Sequence, residues 1–286
     1  MHLASGMSLF TGAALVGLVV ALAPWCRGGW GARLRSAGAG LGLALILGAA
    51  TPHPAWLDAL FIALFVAWFL AEELPRVRRA IRLLPPRVAL AAVVFAMASL
   101  EFPHALPPSL PAGPAQPLYV IGDSISAGIG AAYPPWPDLM AAKYRLPVVN
   151  LAQAGATTAD AIFQVSRVTA PDALVFVEIG GNDLLNGLPT SHFARDLEAF
   201  LAKLSRPGRT IVMLELPLLP LSGGYGQAQR TLARDYGVHL VPKRYFADVL
   251  GARGATDDGL HLSEAGAQRM ADTLYPILAP ALGRTP

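Results

Sequence analysis

The chain predicts an α/β domain built on a parallel sheet over residues 118–286, preceded by an α-helical transmembrane region over residues 1–102. Three observations predict it. Apolar residues make up 54% of the chain and charged ones 14%, for a mean hydropathy of +0.47, and the excess is concentrated before about residue 106. Prolines at 103, 107, 108, 111, 114 and 117 then mark a boundary. Beyond it, short apolar runs alternate with amphipathic stretches, the pattern of strand followed by helix.

The first apolar run, residues 9–23, lies in a segment without charged side chains and is long enough to cross a bilayer. No basic residue precedes it and more hydrophobic segments follow, so a retained helix is expected instead of a cleaved signal peptide. A second uncharged stretch, residues 36–57, begins rich in Gly, Ala and Leu, small residues that allow close helix packing in lipid. The third, residues 55–71, carries Trp56 and Trp68 near its ends, where indole rings favour the membrane interface. A fourth, residues 88–100, is short for a span and also reads as a buried or interfacial helix.

Arginine concentrates at Arg27, Arg33 and Arg35 and again at Arg76, Arg78, Arg79, Arg82 and Arg87, expected as solvated cytoplasmic loops beside anionic headgroups. About four spans then place both termini on the opposite side. The net charge of +3 belongs largely to these loops and carries no nucleic-acid signal. Cys26 is the single cysteine, which excludes an intramolecular disulfide, and no redox chemistry is expected of it; no lipoprotein cleavage box precedes it.

Residues 103–117 are predicted as an extended, semi-rigid linker without a regular helix. Strands are predicted over 118–121, 148–151, 174–179, 210–214 and 238–241, and helices over 136–144, 158–168, 191–204, 226–236 and 263–278. That alternation favours a parallel sheet covered by helices on both faces, with functional groups on loops at the carboxyl ends of strands.

Ser124 follows a short apolar run and a Gly-Asp pair, where a strand would hand over to a helix. A serine hydroxyl is a poor nucleophile until a neighbouring base takes its proton, and the oxyanion formed on attack needs donors. Taken alone, the triplet also reads as an ordinary turn with an N-cap serine. Three further segments stand at predicted strand ends or before the last helix: residues 150–158 with Gly155, Gly180-Gly181-Asn182-Asp183, and Asp257-Asp258-Gly259-Leu260-His261-Leu262. Singly, Asn182 reads as a turn residue and His261 as a cap or surface residue. Together, Ser124, Gly155, Asn182 and His261 fall into one chemical scheme.

These blocks, in this order, resemble the SGNH (GDSL-type) hydrolases over roughly residues 117 to 280, and the phrases Gly-Asp-Ser-Ile-Ser-Ala-Gly and Glu-Ile-Gly-Gly-Asn-Asp look most like the arylesterase, lysophospholipase L1 and thioesterase I branch. The resemblance implies a three-layer α/β/α, flavodoxin-like domain. It also implies roles: Ser124 as nucleophile, His261 as base, Asp258 orienting His261, and an oxyanion hole from the Ser124 and Gly155 backbones and the Asn182 amide. No cofactor and no metal is expected. Asp257, one position off, is expected to face solvent. Asp123 and Asp183 read as loop-shaping acceptors, Glu178 as a satisfied structural carboxylate, and His192 and His239 as surface or packing residues.

The expected function is a membrane-anchored serine ester hydrolase acting through an acyl-serine intermediate on acyl or acetyl esters near the membrane. Its domain would lie on the periplasmic side of a bacterial inner membrane. The expected partners are a small-molecule, lipid or glycan ester substrate and membrane lipid, with no nucleic acid. Loops at 127–136, 184–189 and 217–225 would surround the site, and Leu188, Leu218, Leu219 and Leu221 read first as packing residues, then as an acyl pocket. Two other readings stand beside this one: an O-acyltransferase modifying an envelope glycan, and a non-catalytic envelope binding module.

Overall fold

The computed structural model describes residues 1–285 except 27, 75, 76, 78–83, 114–116, 129–132 and 219–221, and it divides into two compact units, His2–Ala105 and Leu106–Pro286. In the first unit the apolar runs fold as α1 (Ser8–Leu22), α2 (Gly29–Leu47), α3 (Ala55–Glu73) and α4 (Leu84–Glu101), and a 3-10 turn, Phe102–Ala105, follows α4. Helix α1 packs on α2 and α4, and α3 packs on α4. The stretch expected to be continuous over residues 36–57 is broken after Leu47 by a segment holding Gly48, Pro52 and Pro54, and α2 begins earlier, at Gly29.

Side chains of Leu9, Val16, Phe61, Phe65, Trp68, Leu90 and Met97 fill this unit's core. Trp68 is 1% exposed and packs edge-on against Phe65 at 5.7 Å, which corrects its expected place at an interface. It falls on the same helical stripe as Phe61 and Phe65, at spacings of four and three residues. Trp56, in the first turn of α3, is 65% exposed. Close approach of α1 and α2 rests on glycine: a Cβ on Gly42 would stand 2.7 Å from Val16 Cγ2, and one on Gly12 would stand 2.9 Å from Gly42 O.

Arg33 and Arg35 lie inside α2, not in a loop. Arg35 is buried and donates to Glu73 at 2.6 Å and to the Cys26 carbonyl at 2.9 Å, while Arg87 of α4 pairs with the buried Glu72. Pairing offsets the cost of placing these charges inside the unit, so Arg35 and Arg87 depart from the expected solvated basic loops. Arg27, Arg76, Arg78, Arg79 and Arg82 lie outside the described residues. Among the described residues, Ala55–Glu73 and Pro86–Ala105 are long and apolar enough to cross a membrane, whereas α1 is shorter. The fourth segment, expected as the shortest, is therefore one of the two that meet the length.

Part of the expected linker is packed onto the second unit. Leu110 is 7% exposed in the core of that unit, and Gly113 N donates to Pro280 O at 3.2 Å. The sheet that follows has strands β1 (Leu118–Gly122), β2 (Val148–Asn150), β3 (Leu174–Glu178), β4 (Thr210–Leu214) and β5 (His239–Val241). All pairs are parallel, in the order β2-β1-β3-β4-β5. Strands β1 and β3 are buried throughout, which is why they read as unbroken apolar runs.

The connecting helices are α5 (Ser124–Ala127), α6 (Trp136–Tyr144), α7 (Thr158–Val165), α8 (Gly181–Leu185), α9 (Thr190–Leu204), α10 (Gly223–Asp235), α11 (Lys243–Leu250) and α12 (Glu264–Leu278). Leu118, Val120, Phe176, Val212 and Val241 form one core with Trp136, Met140, Phe246, Met270 and Leu274 from α6, α11 and α12. Strand alternation sends Ile121, Val175, Val177 and Met213 to the opposite face, the side of α7, α9 and α10. The result is the three-layer α/β/α fold that the alternation predicts. The direction of strand order reverses between β1 and β3, where a crevice opens at the carboxyl ends of such sheets.

Candidate active site

That reversal point carries the chemistry. β1 ends at Gly122, Asp123 caps the short helix α5 by accepting from Ile125 N at 3.0 Å, and Ser124 is the first helical residue. Ser124 and His261 line one small cavity of about 30 Å³, together with Gly128, Tyr133, Trp136 and Asp257. Asp258 accepts from His261 twice, at 2.6 Å from Nδ1 and at 2.8 Å from the backbone N, and also from Leu260 N at 2.9 Å. The hydrogen bond with the His261 ring, ahead of the two backbone donors, holds the Asp258 carboxyl well below the usual carboxylate range. With Nδ1 engaged, Nε2 is the ring nitrogen left to exchange a proton. Among the described residues no hydrogen bond joins Ser124 Oγ to His261, a looseness common in resting sites that tighten around substrate.

Gly155 sits in the turn after β2 with φ +77°, in the left-handed region where glycine is at ease, and nothing lies within 4 Å of the position a Cβ would take. Backbone conformation, not space, is what calls for glycine there. Asn182, in α8 after β3, donates through Nδ2 to Ala156 O at 2.9 Å and to Asp123 Oδ2 at 3.3 Å. One amide thus ties the residue beside Gly155 to the residue beside Ser124. Among the described residues the Ser124 and Gly155 backbone N–H groups have no acceptor. The structure therefore brings Ser124, Gly155, Asn182, Asp258 and His261 to one end of the sheet.

Neighbouring carboxylates support this arrangement. Asp183, 1% exposed, accepts from Thr158 N at 2.9 Å and Thr158 Oγ1 at 3.2 Å, tying α8 to α7. Glu178, 2% exposed, accepts from Ser126 Oγ at 2.9 Å, and Ser126 Oγ accepts from Trp136 Nε1 at 3.1 Å. Asp257 is exposed, as expected, but it is not idle. Tyr133 Oη donates to it at 2.6 Å and lies 2.9 Å from Leu262 O, linking the loop before α6 to the His261 loop.

No local motif marks Tyr133, Ser126 or Trp136 for these roles, although Tyr133 and Trp136 fall in a loop expected around the site. Leu218 is fully buried, in keeping with packing, while Leu219 and Leu221 lie outside the described residues. Burial pushes the His239 ring below its ordinary value, and His192 lies at the exposed start of α9. Among the described residues no group of histidine, cysteine or carboxylate side chains could hold a metal ion.

Residues 120–269 match the GDSL-like Lipase/Acylhydrolase family. The chain is 30% identical over 182 residues to Esterase TesA of Pseudomonas aeruginosa, covering 59% of this chain and 90% of that protein. It is 27% identical over 180 residues to Thioesterase 1/protease 1/lysophospholipase L1 of Escherichia coli, covering 59% and 86% of the two chains. Among solved structures, a crystal structure of TesA is similar with a TM-score of 0.51 and 29% identity, covering 58% of this chain and 99% of that one.

Proposed function

The chain belongs to the GDSL-like lipase/acylhydrolase family, among its SGNH esterases, and from that premise we propose a membrane-tethered serine ester hydrolase working through an acyl-Ser124 intermediate. The observation that carries this reading is the Asp258–His261 pair at 2.6 Å in the loop that lines the same cavity as Ser124.

In this mechanism Ser124 Oγ bonds to the ester carbonyl carbon as its proton passes to His261 Nε2. Asp258 keeps the ring oriented and stabilises the imidazolium. Negative charge on the carbonyl oxygen is met by the Ser124 and Gly155 N–H groups and by the Asn182 amide. Collapse breaks the bond to the leaving oxygen or sulfur, which takes the proton from His261. Water then attacks acyl-Ser124, giving one proton to His261, and release of the acid returns that proton to Ser124 Oγ.

Tethering is supported by the helical unit, where Leu18, Leu34, Leu41, Phe95 and Leu100 are all more than half exposed. So much outward apolar surface is costly in water and suited to lipid. We assign the helical unit to the membrane, with α3 and α4 as the helices long enough to span and α1 and α2 packed with them, and the catalytic domain on the extracytoplasmic side of a bacterial inner membrane. Acyl or acetyl esters at that surface are the proposed substrates; the names of the two relatives point to ester, thioester and lysophospholipid hydrolysis in those proteins.

The test is labelling of the full chain by a fluorophosphonate probe, followed by a screen of acyl esters and acetylated glycans. Labelling that disappears in Ser124→Ala, with release of free acid, is expected. A folded wild type that neither labels nor cleaves any ester sinks the proposal, and exclusive transfer to a glycan hydroxyl replaces hydrolysis with acyl transfer.

A further inference from the structure

Two carboxyl groups without a part in the hydrolytic scheme meet beneath Ser124. The β1–β3 register sets Gly122 beside Glu178, so Asp123 follows at the very end of β1. The Asp123 and Glu178 carboxyls are close buried neighbours, 3% and 2% exposed, and each perturbs the other. Two buried carboxylates in contact cannot both be ionised; one must carry a proton and donate it to the other.

Depth of burial decides which, since each has donors that favour its anion. Asp123 has the partners of an anion, accepting from Ile125 N at 3.0 Å and from Asn182 Nδ2 at 3.3 Å. Glu178 lies deeper; Ser126 Oγ donates to one oxygen at 2.9 Å, and the Asp123 backbone N–H also favours its ionised form. Burial first, and the neighbouring Asp123 second, push the Glu178 carboxyl well above its ordinary value, while burial raises Asp123 only to about 6. The charged groups facing Asp123 are His261, from the loop before α12, which favours its ionised form, and Asp183 of α8, which opposes it. Ser126 of α5, Trp136 of α6 and Gln164 of α7 bring only neutral groups, the last bonded to the Gly122 backbone at 2.9 and 3.0 Å.

Asn182 is the point where this pair meets the reaction. Its amide has two N–H bonds, and at rest both are engaged, on Ala156 O and Asp123. To stabilise an oxyanion it must give one up, and the 3.3 Å bond to Asp123 is the longer. A bare carboxylate holds an amide proton through a charge-assisted bond, whereas one already accepting a carboxyl proton holds it less tightly.

Resting on the hydrolase reading, we propose that Asp123 and Glu178 share one proton and act as a positioning pair for the oxyanion hole. Glu178 donates to Asp123 and loosens its hold on Asn182, so that this amide can turn to the oxyanion. Asp123 meanwhile keeps the Ser124 turn ordered through Ile125 N. No proton leaves the pair; only the acceptor of one Asn182 N–H changes.

The experiment compares detergent-solubilised full-length wild type, Glu178→Gln and Glu178→Met. Infrared difference spectra of wild type against Glu178→Gln at neutral pH are expected to show a protonated-carboxyl C=O band in wild type that shifts in heavy water. Absence of that band overturns the shared proton, whether or not the protein cleaves esters. Gln keeps a donor toward Asp123 and Met does not. The kcat of Glu178→Gln is therefore expected to exceed that of Glu178→Met by about tenfold or more at similar KM. Equal kcat in the two folded variants overturns the positioning role, and if Glu178→Met does not fold, the infrared comparison decides alone. A wild type that shows the band but neither labels at Ser124 nor cleaves esters keeps the shared proton and removes the hydrolase reading on which its role rests.

Discussion

Asn182→Ala removes an amide that has one role at rest and another during reaction, and the structure allows the two to be weighed. At rest Nδ2 donates to Ala156 O at 2.9 Å, an ordinary length, and to Asp123 at 3.3 Å, a long one. A net hydrogen bond is worth about 0.5–1.5 kcal/mol, so losing a full one and a weak one should cost about 1–2 kcal/mol of domain stability. Loss of one oxyanion donor costs about 10²–10³ in turnover, about 2.7–4 kcal/mol. Because Asn182 must first release its Asp123 bond, the net contribution belongs at the low end, and kcat should fall about 100-fold. KM should move by less than about threefold, since the contact forms with the oxyanion and not with the ground-state carbonyl.

The assay is initial rates on p-nitrophenyl acetate and butyrate, with active sites counted by fluorophosphonate titration and folding checked by thermal unfolding. A variant that labels fully, stays folded and turns over within about fivefold of wild type would refute Asn182 as an oxyanion donor. Asn182→Asp sharpens the comparison: it keeps the shape, removes both donors and sets a second negative charge beside Asp123. Its kcat should fall at least as far.

Two other perturbations test the surroundings of the site and the helical unit. Tyr133→Phe removes the hydroxyl that lies 2.6 Å from Asp257 and 2.9 Å from Leu262 O, and kcat/KM should fall about 3- to 10-fold. Unchanged ester kinetics would show that this link does not position His261. Gly42→Ile places a Cβ 2.7 Å from Val16 Cγ2, and overpacking of this kind costs about 1–3 kcal/mol. It should lower the thermal midpoint of the chain in detergent, measured by loss of the monodisperse chromatographic peak; an unchanged midpoint would mean that α1 and α2 do not pack tightly there.

Most of the sheet was legible because parallel strands buried on both faces are unbroken apolar runs, and each of β1 to β5 lies within its predicted segment or one residue beyond it. Helices α5 and α8, of four and five residues, are too short to show a period. α11 was missed because its first residues, Lys243 and Arg244, hide an apolar stripe that begins at Phe246. Sequence position misplaced Trp68 because nearness to the end of an apolar run says nothing about which side of the helix a ring occupies. The chemistry-bearing blocks were visible as local motifs, but Tyr133 was not, since its partner Asp257 is 124 residues away. Glu178 stood out only as a carboxylate inside an apolar run; its contact with Asp123 depends on the β1–β3 register, which exists only once the sheet forms.

That register also explains why buried carboxyls occur at a place where negative charge must develop. The nucleophile turn and the asparagine turn leave adjacent parallel strands at the point where strand order reverses, so the spacing between their donors is set by how β1 and β3 end. Apolar packing alone would bury those ends without fixing the direction of the Asn182 amide, because dispersion contacts are not directional. Hydrogen bonds through Asp123 do fix it, but an unshared pair of negative charges there would oppose the oxyanion at short range. One proton held between Asp123 and Glu178 leaves a single negative charge and keeps the directional contacts. It lets a polar cross-strand tie lie beneath an oxyanion hole without carrying the full repulsion of two carboxylates.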